Sequence, residues 1–426
     1  MKPATQLPLS EPSDWSACRD VAGGDLFGKV RAFGHHMSRE ERMANLFFRR
    51  PVLSKTDSRV RILDPETGRE REMIQMGSNS FLCLNADPRV IRASVEAAER
   101  YGCGTGAVSL YTGTTDLHLE LERAIADFYV CEDCVLFPTG YAANNGAIAA
   151  LAGEGDTLIN DMFNHASIFD GCGLSGARIL TYLHGHVRHL KKVLSRSASG
   201  PGGVLVLTDG VFSMEGDLAP LDEIHALCRE FGARLLIDEA HAVGVVGPTG
   251  RGTAEAFGLQ GNIDVTVGTL SKAPAGIGGY VVGSKAVVDY LRFFARPYFF
   301  STSLPAPTVA GLIEVFRILA EDPRPREALW ENIRYMTGRL EEMGFDIGNT
   351  RSAIVPLIVG DESLLKPFAE DVHRAGILMN YVAYPAVPKK RGRLRMNLNA
   401  RHTREDLESV LSVLEELGEK HGIIGR

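Results

Sequence analysis

Two residues near the middle of the chain, Asp238 and Lys272, are the types that carbonyl chemistry on a ring cofactor requires. Each follows a short apolar run of strand length. Arg234 to Ile237 delivers Asp238 and His241, and Ile263 to Val267 delivers Thr269, Ser271 and Lys272. In an open parallel sheet ligands lie outside the carboxyl ends of the strands, so an acid and an amine at two such ends would face one pocket. A pyridoxal phosphate site takes a lysine for the Schiff base, an acid to hold a proton on the pyridine nitrogen, and donors for the phosphate. Taken singly, an Asp after a strand reads as a helix cap and a Lys in a Gly-rich loop as solvated. Together with Gly276, Gly278 and Gly279, which let backbone approach a ligand closely, the pair favours the cofactor reading.

Other stretches supply the remaining contacts. FPTGYAANNG places Thr139, Gly140 and Tyr141 at a strand-to-helix turn, where free N–H groups and the helix dipole favour a phosphate. His165, after the TLIND strand, is placed to stack on a flat heteroaromatic ring, although a lone loop histidine is more often structural. Ser213 in DGVFSMEGD and His241 are candidates to hydrogen-bond a phenolic oxygen. Three motifs point away from other chemistry. His184, His186 and His189 have no carboxylate beside them in sequence and read as a solvated helix start, so no metal site is expected. The DEAH tetrapeptide at 238–241 lacks the upstream GxxxxGKS/T loop that a helicase needs. Cys131 and Cys134 form a single CxxC pair without nearby histidines and read as packing residues.

The elements that must position these residues alternate between strand and helix. A first helix is expected from Ser38, with Met43, Leu46 and Phe47 on one face, after an irregular stretch to about residue 25. Arg59 to Met76 reads as a hairpin about DPETG, followed by helices from Pro88 and through Leu117, Leu121, Ile125 and Phe128. Strands and helices alternate over residues 130–285, which predicts an α/β domain with a mostly parallel sheet flanked by helices. Beyond it come a helix from Ala310 to Glu321, a Pro-rich break at DPRPRE, a helix from Trp330 to Met343, strands at IVPLIVG and RLRMNLN, and a last helix capped by Thr403 and Asp406. The expected division is an N-terminal segment at 1–85, a large domain at 86–309 and a smaller α+β domain at 310–426.

Composition narrows the partners. With 46 basic and 53 acidic residues the net charge is −7, which gives no field to attract nucleic acid or an anionic membrane. No apolar run approaches the ~20 residues of a membrane span, and no secretory signal is visible. Seven cysteines, an odd number scattered along the chain, argue for reduced thiols and a cytoplasmic location.

FPTGYAANNGAIAAL, NHASIFDG, TDGVFSMEGDLAPL, LLIDEAHAVGVVGPTGRG, TLSKAPAGIGGY, FSTSLP and RLRMNLNARHT, in this order, resemble the α-oxoamine synthase family of fold-type I pyridoxal-phosphate enzymes. The resemblance covers roughly Arg59 to Leu417. Its members, among them glycine C-acetyltransferase, 8-amino-7-oxononanoate synthase, 5-aminolevulinate synthase and serine palmitoyltransferase, condense an amino acid with an acyl thioester and lose carbon dioxide. The resemblance implies that Lys272 forms the Schiff base and moves the Cα proton, that Asp238 partners the pyridinium and that His165 stacks on the ring. It assigns Ser213 and His241 to the ring oxygen, Thr269 to the phosphate, Arg395 to the substrate carboxylate and Asn79 to the substrate's vicinity. Ser301 and Thr302 match residues that reach the neighbouring subunit's phosphate, which implies a homodimer with a shared site. The implied donor is a thioester of coenzyme A or of a carrier protein.

Three stretches depart from the family pattern. Phe81 and Cys83 replace a tyrosine and a glycine, Ser109 an arginine, and Pro274 and Ala275 a bulky apolar residue and a glycine. All lie where the acyl substrate would enter, so they bear on the substrate rather than on the cofactor. Gly113, Thr114, Asp116 and His118 are somewhat similar to serine palmitoyltransferases. The basic loop with Lys389, Lys390 and Arg391 reads as a solvated face, or as a contact for the phosphates of coenzyme A or an acidic carrier. Two other readings stand beside the condensing enzyme: an aminotransferase using the same Asp and Lys, and a non-catalytic pyridoxal-phosphate sensor. The sensor needs a basic DNA-binding module that the first 80 residues do not show.

Overall fold

The computed structural model describes residues 25–39, 46–197, 200 and 202–425. The central sheet is built from β3 (Asp133–Phe137), β4 (Thr157–Asp161), β5 (Arg178–Tyr182), β6 (Val204–Asp209), β7 (Arg234–Asp238), β8 (Val265–Thr269) and β9 (Gly279–Gly283). Their spatial order is β3-β9-β8-β7-β6-β4-β5. Only β9 runs antiparallel to its neighbours; the other pairings are parallel, so this is a mostly parallel α/β sheet. Strands β4, β8 and β9 are buried at every residue, as expected for a sheet covered on both faces. One face packs on Ala143, Ala147 and Ile148 of the helix Gly140–Leu151 and on Val288 and Leu291 of the helix Lys285–Phe294. The other packs on Leu190 and Leu194 of the helix Val187–Ser197 and on Ile224 and Leu227 of the helix Leu221–Phe231.

A smaller antiparallel sheet orders β10 (Ile354–Gly360), β13 (Gly392–Asn397) and β12 (Asn380–Val382). The N-terminal hairpin of β1 (Arg59–Leu63) and β2 (Glu70–Gln75) gains a third, parallel strand in β11 (Ile377–Leu378), which ties the start of the chain to its C-terminal part. Thr403 and Asp406 form the expected capping box at the last helix, with both reciprocal bonds at 3.1 Å.

Several boundaries differ from the sequence reading. The strand expected at Ile263 begins at Val265, because Asp264 accepts from Leu235 N at 2.9 Å and so holds the residues before it as a loop. The Pro-rich break is shorter than expected: a helix runs from Arg324 to Glu342 with Pro325 in its first turn, where a missing N–H leaves nothing unsatisfied. The preceding helix starts at Ala306, again with a proline in its first turn. Strand β9, within the Gly-rich stretch after Lys272, was not anticipated. A helix spans Gly28–Arg39, and Leu46 and Phe47 are buried, whereas residues 1–24 and Met43 lie outside the described residues. Among the described residues no helix is long and apolar enough to cross a membrane.

Candidate active site

Strands β4, β6, β7 and β8 end side by side, and most of the candidate residues stand at those ends. Asp238 closes β7 and is buried. Asn144 donates from Nδ2 to Asp238 Oδ2 at 2.6 Å and to Ser167 Oγ at 2.9 Å, while Ala240 N donates to Asp238 Oδ1 at 2.8 Å. Both carboxylate oxygens are engaged, so the side chain is held in one orientation. Asp209, paired with Asp238 in the sheet register, is also buried, and its Oδ1 has no partner among the described residues. Burial, and then the charge of Asp238, raise the Asp209 carboxyl well above its usual range and favour its protonated form.

Lys272 stands three residues beyond β8 and is half-buried. Removal from water brings its amine down to about 8; Asp238 and Asp209 oppose that shift and Arg395 adds to it. At pH 7 about a tenth of such amines are neutral, against roughly one in 2,500 for an ordinary lysine. The neutral form is the nucleophile toward an aldehyde.

His165 caps the helix Ala166–Ser175, with Nδ1 accepting from Ser167 N at 3.3 Å and lying 2.7 Å from Ser167 Oγ. Loss of solvation, and then the Lys272 charge, keep its imidazole below the usual histidine value against the pull of Asp238. His241 is buried with an unpartnered Nδ1 and is held well below its usual value by burial, then by Lys272 and Arg395. Both imidazoles are therefore neutral, one offering a flat face and the other a free ring nitrogen. Thr139 caps the helix Gly140–Leu151 by accepting from Ala142 N at 3.0 Å. A Cβ on Gly140 would come within 2.8 Å of Thr269 Cβ, so the helix start sits directly against the end of β8. Thr269 Oγ1 lies 2.8 Å from Ser271 Oγ. The Tyr141 hydroxyl donates to Asp170, and its ring meets His165 edge-on at 6.0 Å.

The small sheet brings the remaining arginine. Arg395 donates from Nε to Ser213 O at 2.6 Å and from Nη2 to Asn79 Oδ1 at 3.2 Å, and Asn397 donates to the same Asn79 oxygen at 3.0 Å. Burial lowers its guanidinium to about 10, which still leaves it charged at neutral pH. Arg393 pairs with Glu215 at 2.9 Å and donates to Met214 O at 2.8 Å, so β13 grips the loop that follows β6. Ser301 and Thr302 line a small recess shared with Ser109, His118 and Pro138.

Sequence reasoning did not single out Asn144, Asp209, Asn397 or Glu239. Glu239, fully buried, accepts from Thr253 N and Ala254 N at 3.0 Å each, and burial raises it to about 7. A buried asparagine within an Ala-rich helix was the one available signal, at Asn144. One expectation is corrected: His184 is not part of a solvated helix start. It lies between Asp161 Oδ1 at 3.2 Å and Asp217 Oδ2 at 3.0 Å, stacked on Phe163 at 4.5 Å; His186 and His189 do serve the helix start. Cys134 is buried in β3, and burial raises its thiol far above the usual value, in keeping with a packing role.

The residues present fit pyridoxal phosphate: an amine near neutrality, an oriented buried acid beside it, a capped helix start, and unpartnered polar atoms on His241 and Asp209. Fold and site together define a fold-type I pyridoxal-phosphate-dependent transferase. The sequence matches the model of the aminotransferase class I and II family over residues 71–414. It is 40% identical over 418 residues to 4-hydroxy-2,2'-bipyrrole-5-methanol synthase PigH of Serratia sp., covering 97% of this chain; the chain spans 64% of that relative's length. An 8-amino-7-oxononanoate synthase of Symbiobacterium thermophilum is 42% identical over 83% of this chain and 90% of its own. The solved serine palmitoyltransferase of S. paucimobilis with bound PLP and myriocin superposes with a TM-score of 0.88 at 36% identity, over 94% of this chain and 100% of that one. The chain belongs to the aminotransferase class I and II family, and within it to the α-oxoamine synthases, pyridoxal-phosphate-dependent acyltransferases.

Proposed function

We propose that the protein is a homodimeric cytoplasmic enzyme that condenses a small amino acid with an acyl thioester, on coenzyme A or a carrier protein, releasing carbon dioxide and thiol. The observation that carries this reading is the pairing of a low-pKa lysine with a fixed aspartate beside an arginine mounted on the small sheet. When bound, pyridoxal phosphate supplies an electron sink for negative charge developing at the amino acid's Cα. Lys272 anchors the cofactor aldehyde and then takes and returns the Cα proton, a task suited to an amine at about 8. Asp238, oriented by Asn144, holds the proton on the ring nitrogen. His165 supports the ring face, and Ser213 and His241 take its phenolic oxygen. Thr139, Gly140, Tyr141, Thr269 and Ser271 surround the phosphate, with Ser301 and Thr302 serving the site of the second subunit. Arg395, steadied by Asn79, receives the substrate carboxylate; among the described residues its Nη1 is not engaged by protein.

Serine is the first amino acid to test, since one relative is named a serine palmitoyltransferase and another makes a product with a one-carbon alcohol. The experiment titrates holoenzyme with serine, alanine and glycine while recording cofactor absorbance, then adds acyl-coenzyme A and measures carbon dioxide and free thiol. Lys272→Ala is expected to lose turnover by at least a thousandfold and to escape labelling by borohydride reduction of the bound cofactor. A keto acid appearing without carbon dioxide or thiol would replace the proposal with the aminotransferase reading.

A further inference from the structure

Between the helix Pro88–Tyr101 and the helix Ala306–Glu321 lies a cavity of about 350 Å³. Its floor is Pro274, Ala275 and Gly276, the residues that begin two positions past Lys272. Ile91, Ser94 and Ala98, at helical spacing, line one wall; Thr308, Gly311 and Leu312 line the other. No charged side chain takes part in the lining. Small residues make the room, since a Cβ on Gly311 would come 2.5 Å from Ser94 Oγ and one on Gly276 would come 3.0 Å from Leu312 Cδ2. At one end the cavity reaches Asn85, whose side chain takes a hydrogen bond from Ser80, the residue after Asn79. The space thus runs from beneath the Lys272 loop to the loop that steadies Arg395.

We propose that this cavity receives the acyl group of the thioester donor and selects apolar acyl groups of medium length. The proposal rests on the condensation reading. Its volume lies within the ~300–1,000 Å³ of small-molecule sites, and the wall from Ile91 to Ala98 is roughly 10 Å long. The carbonyl under attack has to reach the chemistry at Lys272, so whatever it carries extends past the residues next to that lysine. An uncharged wall of alkyl and small side chains disfavours phosphates and suits methylene groups, each one buried strengthening binding about fourfold. The polar part of the donor must therefore leave in another direction.

Ser94→Phe and Thr308→Phe each place a ring in the cavity, and holoenzymes of both are compared with wild type. Thiol release is followed with saturated acyl-coenzyme A donors of increasing length, and direct binding of decanoate is measured by calorimetry. The expected result is at least a tenfold fall in the ratio of kcat/KM for long over short donors, with loss of decanoate binding and an unchanged midpoint for the amino-acid titration of cofactor absorbance. Where one variant fails to keep the wild-type circular dichroism, the other decides. An unaltered chain-length profile in a folded variant overturns the proposal. So does a change in oligomeric mass without a change in profile, which would give the cavity to a second copy of the chain. If wild type releases thiol from no coenzyme A donor, the donor is not an acyl-coenzyme A, and decanoate binding then decides alone: saturable binding lost in the variants keeps an apolar-chain site, and no binding removes it.

Discussion

Ala275 and Cys83 hold backbone conformations that side chains with a Cβ avoid, with φ of +66° and +53°. Both stand where the family pattern has glycine, so the chain keeps a glycine-type turn at each place without the glycine. The left-handed region costs such residues roughly 1–2 kcal/mol. Ala275→Gly removes that cost and loses one methyl, and is expected to raise holoenzyme stability by about 1 kcal/mol, read as a higher urea midpoint at unchanged slope. A lower midpoint would show that the methyl contributes more packing than the turn loses in strain. At Cys83 the thiol is buried, lies 3.6 Å from the Ser80 carbonyl oxygen to which it donates, and is raised to about 12, chiefly by loss of solvation, so it is inert at neutral pH. Cys83→Gly is expected to exceed Cys83→Ala in stability by about 1 kcal/mol, a comparison in which both variants lack the sulfur. These positions were visible in sequence as departures from a pattern, but the sign of φ was not. Asn144 was less legible still: it meets Asp238 across 94 residues of chain, and its role arises only when helix and strand are packed.

His184 links the loops that leave three neighbouring strands. It follows β5, accepts company from Asp161 at the end of β4, and reaches Asp217 in the loop after β6, with Phe212 edge-on at 4.3 Å. Its pKa is raised to about 10: burial alone would lower it, and the hydrogen bonds and charges of the two aspartates override that effect. A histidine raised in the folded state contributes stability fully below its unfolded value of ~6.5, and that contribution is lost as pH climbs through about 10. His184→Asn is therefore expected to lower stability by about 3 kcal/mol near pH 6, the deficit shrinking steadily toward pH 10. A deficit independent of pH over that window would mean that stacking on Phe163 rather than charge holds the site together. The sequence hid this clamp because its two acids come from other strand ends, whereas the strands themselves were legible as apolar runs bounded by polar residues. Strand β9 was hidden for the opposite reason, its glycines masking a segment that pairs on both sides with β3 and β8.

At the scale of the molecule, Ser301 and Thr302 adjoin an exposed aromatic surface. Phe300 is 71% and Tyr111 70% exposed, and Phe299 sits between them, 4.7 Å from the first ring and 6.0 Å from the second. Phe293 and Phe294 are exposed close by in sequence, on the helix Lys285–Phe294. Contiguous exposed rings of this kind mark association surfaces, and aromatic anchors carry much of the binding energy at such surfaces. A second copy docked here would bury the rings and carry Ser301 and Thr302 toward a site other than their own, which is what the shared-site reading requires. Phe300→Glu combined with Tyr111→Glu is expected to turn the proposed dimer into monomer at micromolar concentration in sedimentation velocity, and the monomer to release its cofactor on dialysis. Mixing then tests the sharing itself. Lys272→Ala subunits and Ser301→Ala/Thr302→Ala subunits, each inactive alone, should regain partial turnover when unfolded and refolded together, because one of the two sites in a mixed dimer then has both a lysine and its partner's hydroxyls. Turnover that stays absent in proven mixed dimers would assign Ser301 and Thr302 to their own subunit's site and leave the aromatic surface a purely structural contact.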